Sequence, residues 1–199
     1  MLQYLPNFLT MSRLLLAAPL GYLVWQHEYE WALAIGLLAG ATDAMDGFFA
    51  RRLHAFSRLG AVLDPIADKT LITVTFVSCA STGLIPWYLA IVVMLRDAII
   101  VAGAAAYHRF IGEIEFSATP LSKVNMVVQI VFCVMVIAAQ VWVWIPETAI
   151  MAGSAAVLFF AGASGFDYVM QWSIRAFTQH RLTDKQAPKG TRAGEEGER

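Results

Sequence analysis

The sequence is short of charged residues and of cysteines. Asp, Glu, Lys and Arg together make up 15% of its 199 residues, a low share for a soluble globular domain. Cys79 and Cys133 stand in apolar runs without CxxC spacing, so we interpret both as small buried hydrophobic residues and expect no disulfide framework. The first residues lack a basic stretch and a small-residue cleavage site, and we therefore expect no removable signal peptide.

Hydrophobic residues dominate instead. They form 58% of the chain, and its mean hydropathy is +0.60. Six apolar runs approach the roughly 20 residues that one bilayer crossing requires, near 8–26, 32–50, 61–82, 86–107, 122–144 and 148–172. Because backbone groups in lipid must be paired internally, we predict an all-α integral membrane protein with a six-transmembrane-helix bundle.

The basic residues divide the connections into two kinds. Lys and Arg follow the second run, bracket the connection between the fourth and fifth runs, and recur after residue 172, whereas the other connections contain none. The positive-inside rule then predicts that the basic connections and both termini face the cytoplasm. We expect the membrane to be a bacterial-type inner membrane. We expect residues 1–182 to form the membrane domain, beginning with "MLQYLPN" as a short interfacial segment, and residues 183–199 to form a disordered cytoplasmic tail.

Four carboxylates interrupt the apolar pattern of the second and third runs. Asp43 and Asp46 are three residues apart, and Asp64 and Asp68 are four apart, so each pair shares one helical face. The short connection predicts that these two spans pack as antiparallel neighbours, which would bring all four carboxylates to one cytoplasmic depth. A charged Asp near a helix centre costs about 2.5–3.5 kcal/mol on insertion scales. A hard divalent cation, Mg²⁺ or Mn²⁺, is the counter-ion that such oxygen ligands favour.

Three other interpretations stay open at this point. Asp64 precedes Pro65, a pair that is typical of a helix N-cap followed by proline at the first helical position. An intramembrane carboxylate cluster also occurs in cation transporters, although the apolar runs beyond this cluster offer no polar path to the other face. The third interpretation is a catalytically silent lipid-binding or scaffold protein.

The spacing of these residues resembles a known family signature. The pattern has gaps of two, two, eight, three and three residues and consists of Asp43, Asp46-Gly47, Ala50-Arg51, Gly60, Asp64 and Asp68. It resembles, without a departure, the signature of the CDP-alcohol phosphatidyltransferases. The stretch "PNFLTMSR" resembles that family's N-terminal element, with Asn7 and Thr10 in matching places.

This resemblance implies a fold and a chemistry. The fold would be a six-helix bundle, usually a homodimer, whose site opens to the cytoplasmic leaflet. Asp43, Asp46 and Asp64 would hold two divalent cations, Mg²⁺ or Mn²⁺. Asp68 would be a further ligand and also the general base on the acceptor hydroxyl. The donor would be CDP-diacylglycerol, bound in a pocket formed by Asn7, Thr10, Asp43, Asp46, Gly47, Ala50, Arg51 and Gly60.

Two further stretches bear on the acceptor alcohol. "LRDAIIVAGAAAYHR" in the fourth run and "LSKVNMVVQ" in the fifth resemble the CMP-forming cardiolipin synthases, which implies phosphatidylglycerol as the acceptor. The bacterial phosphatidylglycerophosphate synthases are close relatives that use glycerol 3-phosphate and typically have Glu where Asp97 stands. Glycerol 3-phosphate therefore stays the alternative acceptor. We expect membrane lipids as further partners and no nucleic acid.

Both acceptors carry a phosphate, which predicts cationic side chains near the carboxylates. Arg96 and Lys123 are the candidates. The alternative for Arg96 is a structural ion pair with an intramembrane carboxylate, either Asp97 or Asp167. The alternative for Lys123 is a side chain that extends to the cytoplasmic interface.

Overall fold

Every described element of the chain is an α-helix. The structure, a computed structural model, describes the backbone of residues 5–53, 58–110, 119–142 and 144–186, and the side chains of 11–12, 14–42, 67–103, 109, 119–142 and 144–170. The helices are α1 (Leu5–Trp25), α2 (Tyr29–Leu53), α3 (Arg58–Ser81), α4 (Trp87–Phe110), α5 (Pro120–Val141) and α6 (Glu147–Gln186). No strand occurs in this part of the chain, which confirms the all-α prediction.

Each helix overlaps one of the six apolar runs, with ends that differ by a few residues, and two predicted segment boundaries also differ. α1 already begins at Leu5, so residues 5–7 of the expected interfacial segment form the first turn of the same helix. α6 continues to Gln186, so the predicted boundary at residue 182 lies inside a helix. Residues 187–199 lie outside the described part of the chain, and disorder there stays a prediction.

Two of the helices are long and apolar enough to cross a bilayer, judged by length and composition among the described residues. They are α5, over Pro120–Val141, and the first part of α6, over Glu147–Met170. α1 contains a shorter apolar stretch, Leu14–Trp25. Bilayer crossing by the other four helices stays a prediction.

The six helices form a ring in the order α1, α3, α4, α6, α5 and α2, and α3 also contacts α5 across it. Helices that follow one another in the chain run in opposite directions, so the bundle has two ends. One end carries the connections α1–α2, α3–α4 and α5–α6 and is termed the tryptophan end, because it exposes Trp25, Trp31, Trp87, Trp142 and Trp144. The opposite end, with the connections α2–α3 and α4–α5, is termed the junction end.

The prediction that α2 and α3 pack as direct neighbours is wrong for the described residues. α1 and α5 each pack on both α2 and α3. A cavity of about 60 Å³ also lies between α2 and α3. Its lining includes Gly36 of α2, Ile72 and Thr75 of α3, and Ile130 and Cys133 of α5. The reason is geometric. A short connection fixes only the two helix ends that it joins, and helices that diverge from those ends can each pack against a third helix.

The apolar core lies toward the tryptophan end. Phe76 of α3 and Phe132 of α5 are fully buried, with ring centroids 6.0 Å apart. α1 approaches α3 closely at Gly21, where an added Cβ would lie 2.6 Å from Cγ1 of Val74. A small residue at such a point lets two helix backbones come together. Van der Waals contact therefore holds this end of the bundle.

The outer surface of the ring is apolar as well. On α4 the exposed hydrophobic side chains recur every three or four residues, at Tyr88, Ile91, Leu95 and Ile99. The other helices expose further large hydrophobic residues, among them Leu15, Leu37, Val127, Val131, Phe159 and Phe166. A soluble monomer rarely exposes so much contiguous apolar surface, whereas a helix bundle in lipid does.

Candidate active site

The four carboxylates of the signature lie on two helices. Asp43 and Asp46 belong to α2, and Asp64 and Asp68 belong to α3. Because α3 begins at Arg58, Asp64 stands inside the helix, and its interpretation as an N-cap is wrong. The side chains of Asp43, Asp46 and Asp64 lie outside the described residues, so the convergence of the four carboxylates stays a prediction.

The other residues assigned to the CDP pocket lie on the same two helices and on α1. They are Asn7 and Thr10 on α1, Gly47, Ala50 and Arg51 on α2, and Gly60 on α3. Their side chains are outside the described part of the chain. Their role in binding CDP therefore stays a prediction.

A cluster of charged side chains begins at the residue after Asp68, which is itself half-buried. Nζ of Lys69 lies 3.1 Å from Oδ1 of Asp97 on α4. The same oxygen lies 2.6 Å from Nη1 of Arg96 and accepts a hydrogen bond from it. The contact of Lys69 is an ion pair by distance only, because its ammonium makes no well-directed hydrogen bond within the described part of the chain. Two cationic side chains thus lie against the same oxygen of Asp97.

Arg96 connects three helices at this depth. Its side chain is only 9% exposed, and Nη2 donates hydrogen bonds to Oγ of Ser122 on α5, at 2.8 Å, and to Oγ of Ser164 on α6, at 2.5 Å. Nε of Arg96 has no hydrogen-bond partner among the described residues. The structure thus contains the ion pair between Arg96 and Asp97 that was the alternative interpretation. A contact of Arg96 with an acceptor phosphate stays a prediction.

Sequence reasoning did not find Lys69 and Ser164 as members of this cluster. A signal for Lys69 exists, since a lysine within an apolar helix is costly unless it is paired or reaches water. No comparable signal exists for Ser164, which is one of several small residues in α6. Its contact with Arg96 depends on how α4 and α6 pack.

A capped helix start fixes the first turn of α5. Oγ1 of Thr119 accepts a hydrogen bond from the backbone N–H of Ser122 at 3.2 Å, and Pro120 occupies the first helical position. This turn carries Ser122 toward Arg96 and also carries Lys123. The Lys123 side chain is exposed, so both interpretations of Lys123 stay open.

Two amide side chains are buried on the following turns of α5. Asn125 is 1% exposed and Gln129 is 3% exposed. Nδ2 and Oδ1 of Asn125 and Nε2 of Gln129 have no hydrogen-bond partner in the described part of the chain. Leaving such a group buried and unpaired costs about 1–3 kcal/mol. The junction end therefore keeps unpaired polar groups that the apolar core excludes.

The donor set of the signature fits a hard metal ion. All four of its possible ligands are carboxylates, and none is a His or Cys, which is the chemistry that Mg²⁺ and Mn²⁺ favour. Among the described side chains no group of three or more His, Cys, Asp and Glu residues could hold a metal ion. Asp43, Asp46 and Asp64 lie outside that part, so the metal site itself stays a prediction.

The family model of the CDP-alcohol phosphatidyltransferases matches residues 3–167 of the chain. The chain belongs to this family. The matched region includes α2 to α5 and every residue that the sequence predicted for the site. The match confirms the resemblance that was inferred from the carboxylate spacing.

Curated relatives carry two kinds of name. The cardiolipin synthases (CMP-forming) of Rattus norvegicus and Homo sapiens are each 33% identical over 181 residues, which cover 82% of this chain and 60% of the relative. The CDP-diacylglycerol–glycerol-3-phosphate 3-phosphatidyltransferase of Aquifex aeolicus is 41% identical over 78 residues, which cover 37% of this chain and 44% of that protein. The chain thus spans about 60% of the length of the two mammalian relatives.

Proposed function

We propose that this chain is a membrane phosphatidyltransferase that transfers the phosphatidyl group of CDP-diacylglycerol to phosphatidylglycerol, giving cardiolipin and CMP. One observation carries the proposal. The complete carboxylate signature stands on α2 and α3 of a chain that belongs to the CDP-alcohol phosphatidyltransferase family. Glycerol 3-phosphate is the second candidate acceptor.

The proposed reaction makes one bond and breaks one. The acceptor hydroxyl oxygen bonds to the phosphorus that bears diacylglycerol, and the bond from that phosphorus to CMP breaks as CMP leaves. Asp68 takes the hydroxyl proton as general base. Asp43, Asp46, Asp64 and Asp68 would hold two divalent cations, and these would neutralise charge on the pyrophosphate. Asn7, Thr10, Gly47, Ala50, Arg51 and Gly60 complete the CDP pocket.

The charge cluster beside Asp68 supports an acceptor that carries a phosphate. Lys69 and Arg96 both lie against one oxygen of Asp97, so two cationic side chains stand beside Asp68, where an acceptor phosphate would approach. Nε of Arg96 and Nζ of Lys69 also keep donors without a hydrogen-bond partner among the described residues. We therefore add Lys69 to Arg96 and Lys123 as the residues that attract the acceptor phosphate.

The two candidate acceptors are supported by relatives whose alignments cover different shares of the chain. The relatives named as cardiolipin synthases align with 82% of it, whereas the relative named as a glycerol-3-phosphate phosphatidyltransferase aligns with 37%. The longer alignment favours phosphatidylglycerol. The higher identity over the shorter stretch, 41%, is the reason to keep glycerol 3-phosphate.

The proposed location follows from the surface of the bundle. Apolar side chains cover the outside of the ring, tryptophans mark one end, and Lys and Arg are found at the other. We propose that all six helices cross the inner membrane of a bacterial-type cell, with the junction end, both termini and the site on the cytoplasmic side. The family resemblance also implies that the protein is a homodimer. Cross-linking in native membranes would test this oligomeric state.

The activity is tested by CMP release from CDP-diacylglycerol. The purified protein is given Mg²⁺ or Mn²⁺ and, in parallel, phosphatidylglycerol, glycerol 3-phosphate or no acceptor, and the lipid product is identified by mass spectrometry. Release with phosphatidylglycerol and a cardiolipin product is the expected result. Release only with glycerol 3-phosphate selects the second acceptor, and no release with either acceptor removes the proposed function.

The topology is tested by cysteine labelling in sealed vesicles of known orientation. His27, in the α1–α2 turn, and Arg109, near the end of α4, are both exposed. We expect a membrane-impermeant maleimide to label Arg109→Cys only from the cytoplasmic side and His27→Cys only from the opposite side. Labelling of both from one side contradicts the proposed orientation. The unsubstituted protein, whose Cys79 is buried and Cys133 half-buried, is the control.

A further inference from the structure

One stripe of α5 faces α3, and it changes from apolar to polar along the helix. Asn125, Gln129, Phe132 and Val136 are spaced by four, three and four residues, and all are buried. Phe132 contacts the ring of Phe76 on α3, which fixes the direction of the stripe. Asn125 and Gln129 therefore also point toward α3, nearer to the junction end.

Three of the four polar side-chain atoms of these two amides are buried and unpaired in the described part of the chain. Nδ2 and Oδ1 of Asn125 and Nε2 of Gln129 lack a hydrogen-bond partner, and both residues are more than nine-tenths buried. Buried polar groups in native proteins are nearly always paired. Unpaired amides are still harder to account for where a bundle is surrounded by lipid. A ligand that supplies the missing hydrogen bonds accounts for them.

The amides lie at the depth of Asp68. Lys69 of α3 and Ser122 of α5 both lie beside the Arg96–Asp97 pair, and Phe76 contacts Phe132 farther along both helices, so α3 and α5 run in the same direction. Eight residues toward the junction end lead from Phe76 to Asp68 and from Phe132 to Val124, the neighbour of Asn125. Asn125 therefore stands near the level of Asp68, and Gln129 stands about one helical turn closer to the phenylalanine pair.

The chemistry of the pair selects the kind of ligand. An amide offers N–H donors and a carbonyl acceptor and carries no charge. A metal ion would instead find carboxylates on α2 and α3, and a phosphate would find Lys69 and Arg96. A hydroxyl group both donates and accepts a hydrogen bond, so a neutral amide pair matches it.

We propose that Asn125 and Gln129 form a binding subsite for the glycerol hydroxyls of the acceptor alcohol and hold the attacking hydroxyl near Asp68. This inference rests on the proposed phosphatidyl transfer. Phosphatidylglycerol and glycerol 3-phosphate both carry a glycerol with free hydroxyls, so the subsite serves either acceptor. Asn125 and Gln129 are positioning residues, and Asp68 remains the base.

Two nearly isosteric variants test the subsite. Asn125→Leu and Gln129→Met remove the amides and keep most of the volume. In each we expect the KM for the acceptor to rise about tenfold, because a hydroxyl then loses its partner. The KM for CDP-diacylglycerol should change by less than about twofold, within the range of a surface substitution. The thermal midpoint of the ligand-free protein should not fall, because the removed groups had no partner.

Thr75→Val is the matched control. Thr75 is buried on α3, and its hydroxyl donates to the backbone oxygen of Leu71 in its own helix, at 2.8 Å. This variant removes a buried polar atom from the same core without touching an unpaired one. We expect the KM for the acceptor to stay at the wild-type value.

A binding measurement separates failure of the subsite from failure of the proposed function. The thermal midpoint is measured with glycerol 3-phosphate and, separately, with phosphatidylglycerol in mixed micelles, and the two arms identify the acceptor. The wild type should be stabilised, and both amide variants should lose this stabilisation. If the wild type releases no CMP but shows this difference, the function fails and the subsite stands. If neither variant reduces an acceptor-dependent stabilisation, or if both ligand-free variants melt at lower temperature, the subsite is overturned.

Discussion

The two ends of the bundle pack the same helices by different means. Toward the tryptophan end, Phe76 meets Phe132, and the contact is apolar on both sides. Toward the junction end, the same α3 and α5 carry Lys69, Asn125 and Gln129, whose polar atoms are buried without a full set of partners. The difference indicates that the tryptophan end contributes stability, whereas the junction end has polar groups that are available to bind a ligand.

The physical basis of this division is the cost of an unpaired polar group. A closely packed apolar core offers no binding energy to a ligand, because its atoms are already in van der Waals contact with one another. A buried amide or ammonium that lacks a partner carries a cost of about 1–3 kcal/mol, which a ligand with matching hydrogen bonds removes. The junction end is therefore the end at which binding energy is available. The two helices that carry the carboxylate signature, α2 and α3, end and begin on that side of the bundle.

The largest expected effect comes from the carboxylate that is proposed as the base. Asp68→Asn keeps the shape of the side chain and removes its ability to accept a proton. We expect CMP release to fall by about 100-fold or more, as for the loss of a general base, while the thermal midpoint stays close to that of the wild type. Glu147→Gln, an exposed carboxylate at the tryptophan end, is the control and should keep full activity. Preserved turnover in Asp68→Asn would remove the proposed mechanism.

The next effect tests the charge cluster. Asp97→Asn leaves Lys69 and Arg96 without their shared counter-ion in a largely buried site. We expect the free energy of unfolding to fall by about 3 kcal/mol, as when one partner of a buried ion pair is removed, measured by denaturant titration in micelles. Glu30→Gln, exposed in the first turn of α2, should change it by less than about 0.5 kcal/mol. Equal stability of the two variants would show that the cluster does not hold α4 in place.

A smaller effect tests packing at the apolar end. Gly21→Ala would place a methyl group 2.6 Å from Cγ1 of Val74, a stiff β-branched side chain, and force α1 away from α3. We expect a loss of about 1–3 kcal/mol, as for an overpacked core, with the KM values unchanged. Gly162→Ala, where an added Cβ meets nothing within 4 Å, is the control and should be neutral or slightly stabilising. A stability loss that is the same in both variants would contradict the close approach of α1 to α3.

The smallest effect concerns the start of α5. Thr119→Ala removes the cap that accepts the N–H of Ser122. We expect a loss of about 1 kcal/mol in unfolding free energy, together with a modest rise in the KM for the acceptor, because the first turn carries Ser122 and Lys123. The same change at Thr148, exposed in the first turn of α6, should have no effect on either quantity. An unchanged midpoint in Thr119→Ala would show that Pro120 alone fixes this turn.

Sequence patterns predicted the helices well and their neighbours poorly. Apolar runs of about 20 residues placed all six helices, because a segment of that length in lipid must satisfy its own backbone. The short connection after α2 predicted a direct α2–α3 contact, but within the described residues α1 and α5 pack on both helices. Connection length limits where two helix ends lie and does not determine which helix packs along the rest of their length.

The site shows the same limit. The spacing of the four Asp residues was enough to identify the family, because its chemistry fixes residue types at fixed intervals within two consecutive helices. Arg96 was found as an intramembrane cation, and one of its two expected carboxylate partners, Asp97, is bonded to it. Ser164 was not found, because its contact with Arg96 joins segments that are 68 residues apart.

The sequence by itself determined the helical class, the positions of the six helices, the family and the helices that carry its carboxylates. These depend on local composition and on spacing within single helices. Only the tertiary structure decided the order of the ring, the sharing of Asp97 between Lys69 and Arg96, and the burial of Asn125 and Gln129 without partners. The reason is that a polar atom is paired or unpaired according to what distant segments bring within about 3 Å of it, and no local pattern contains that information.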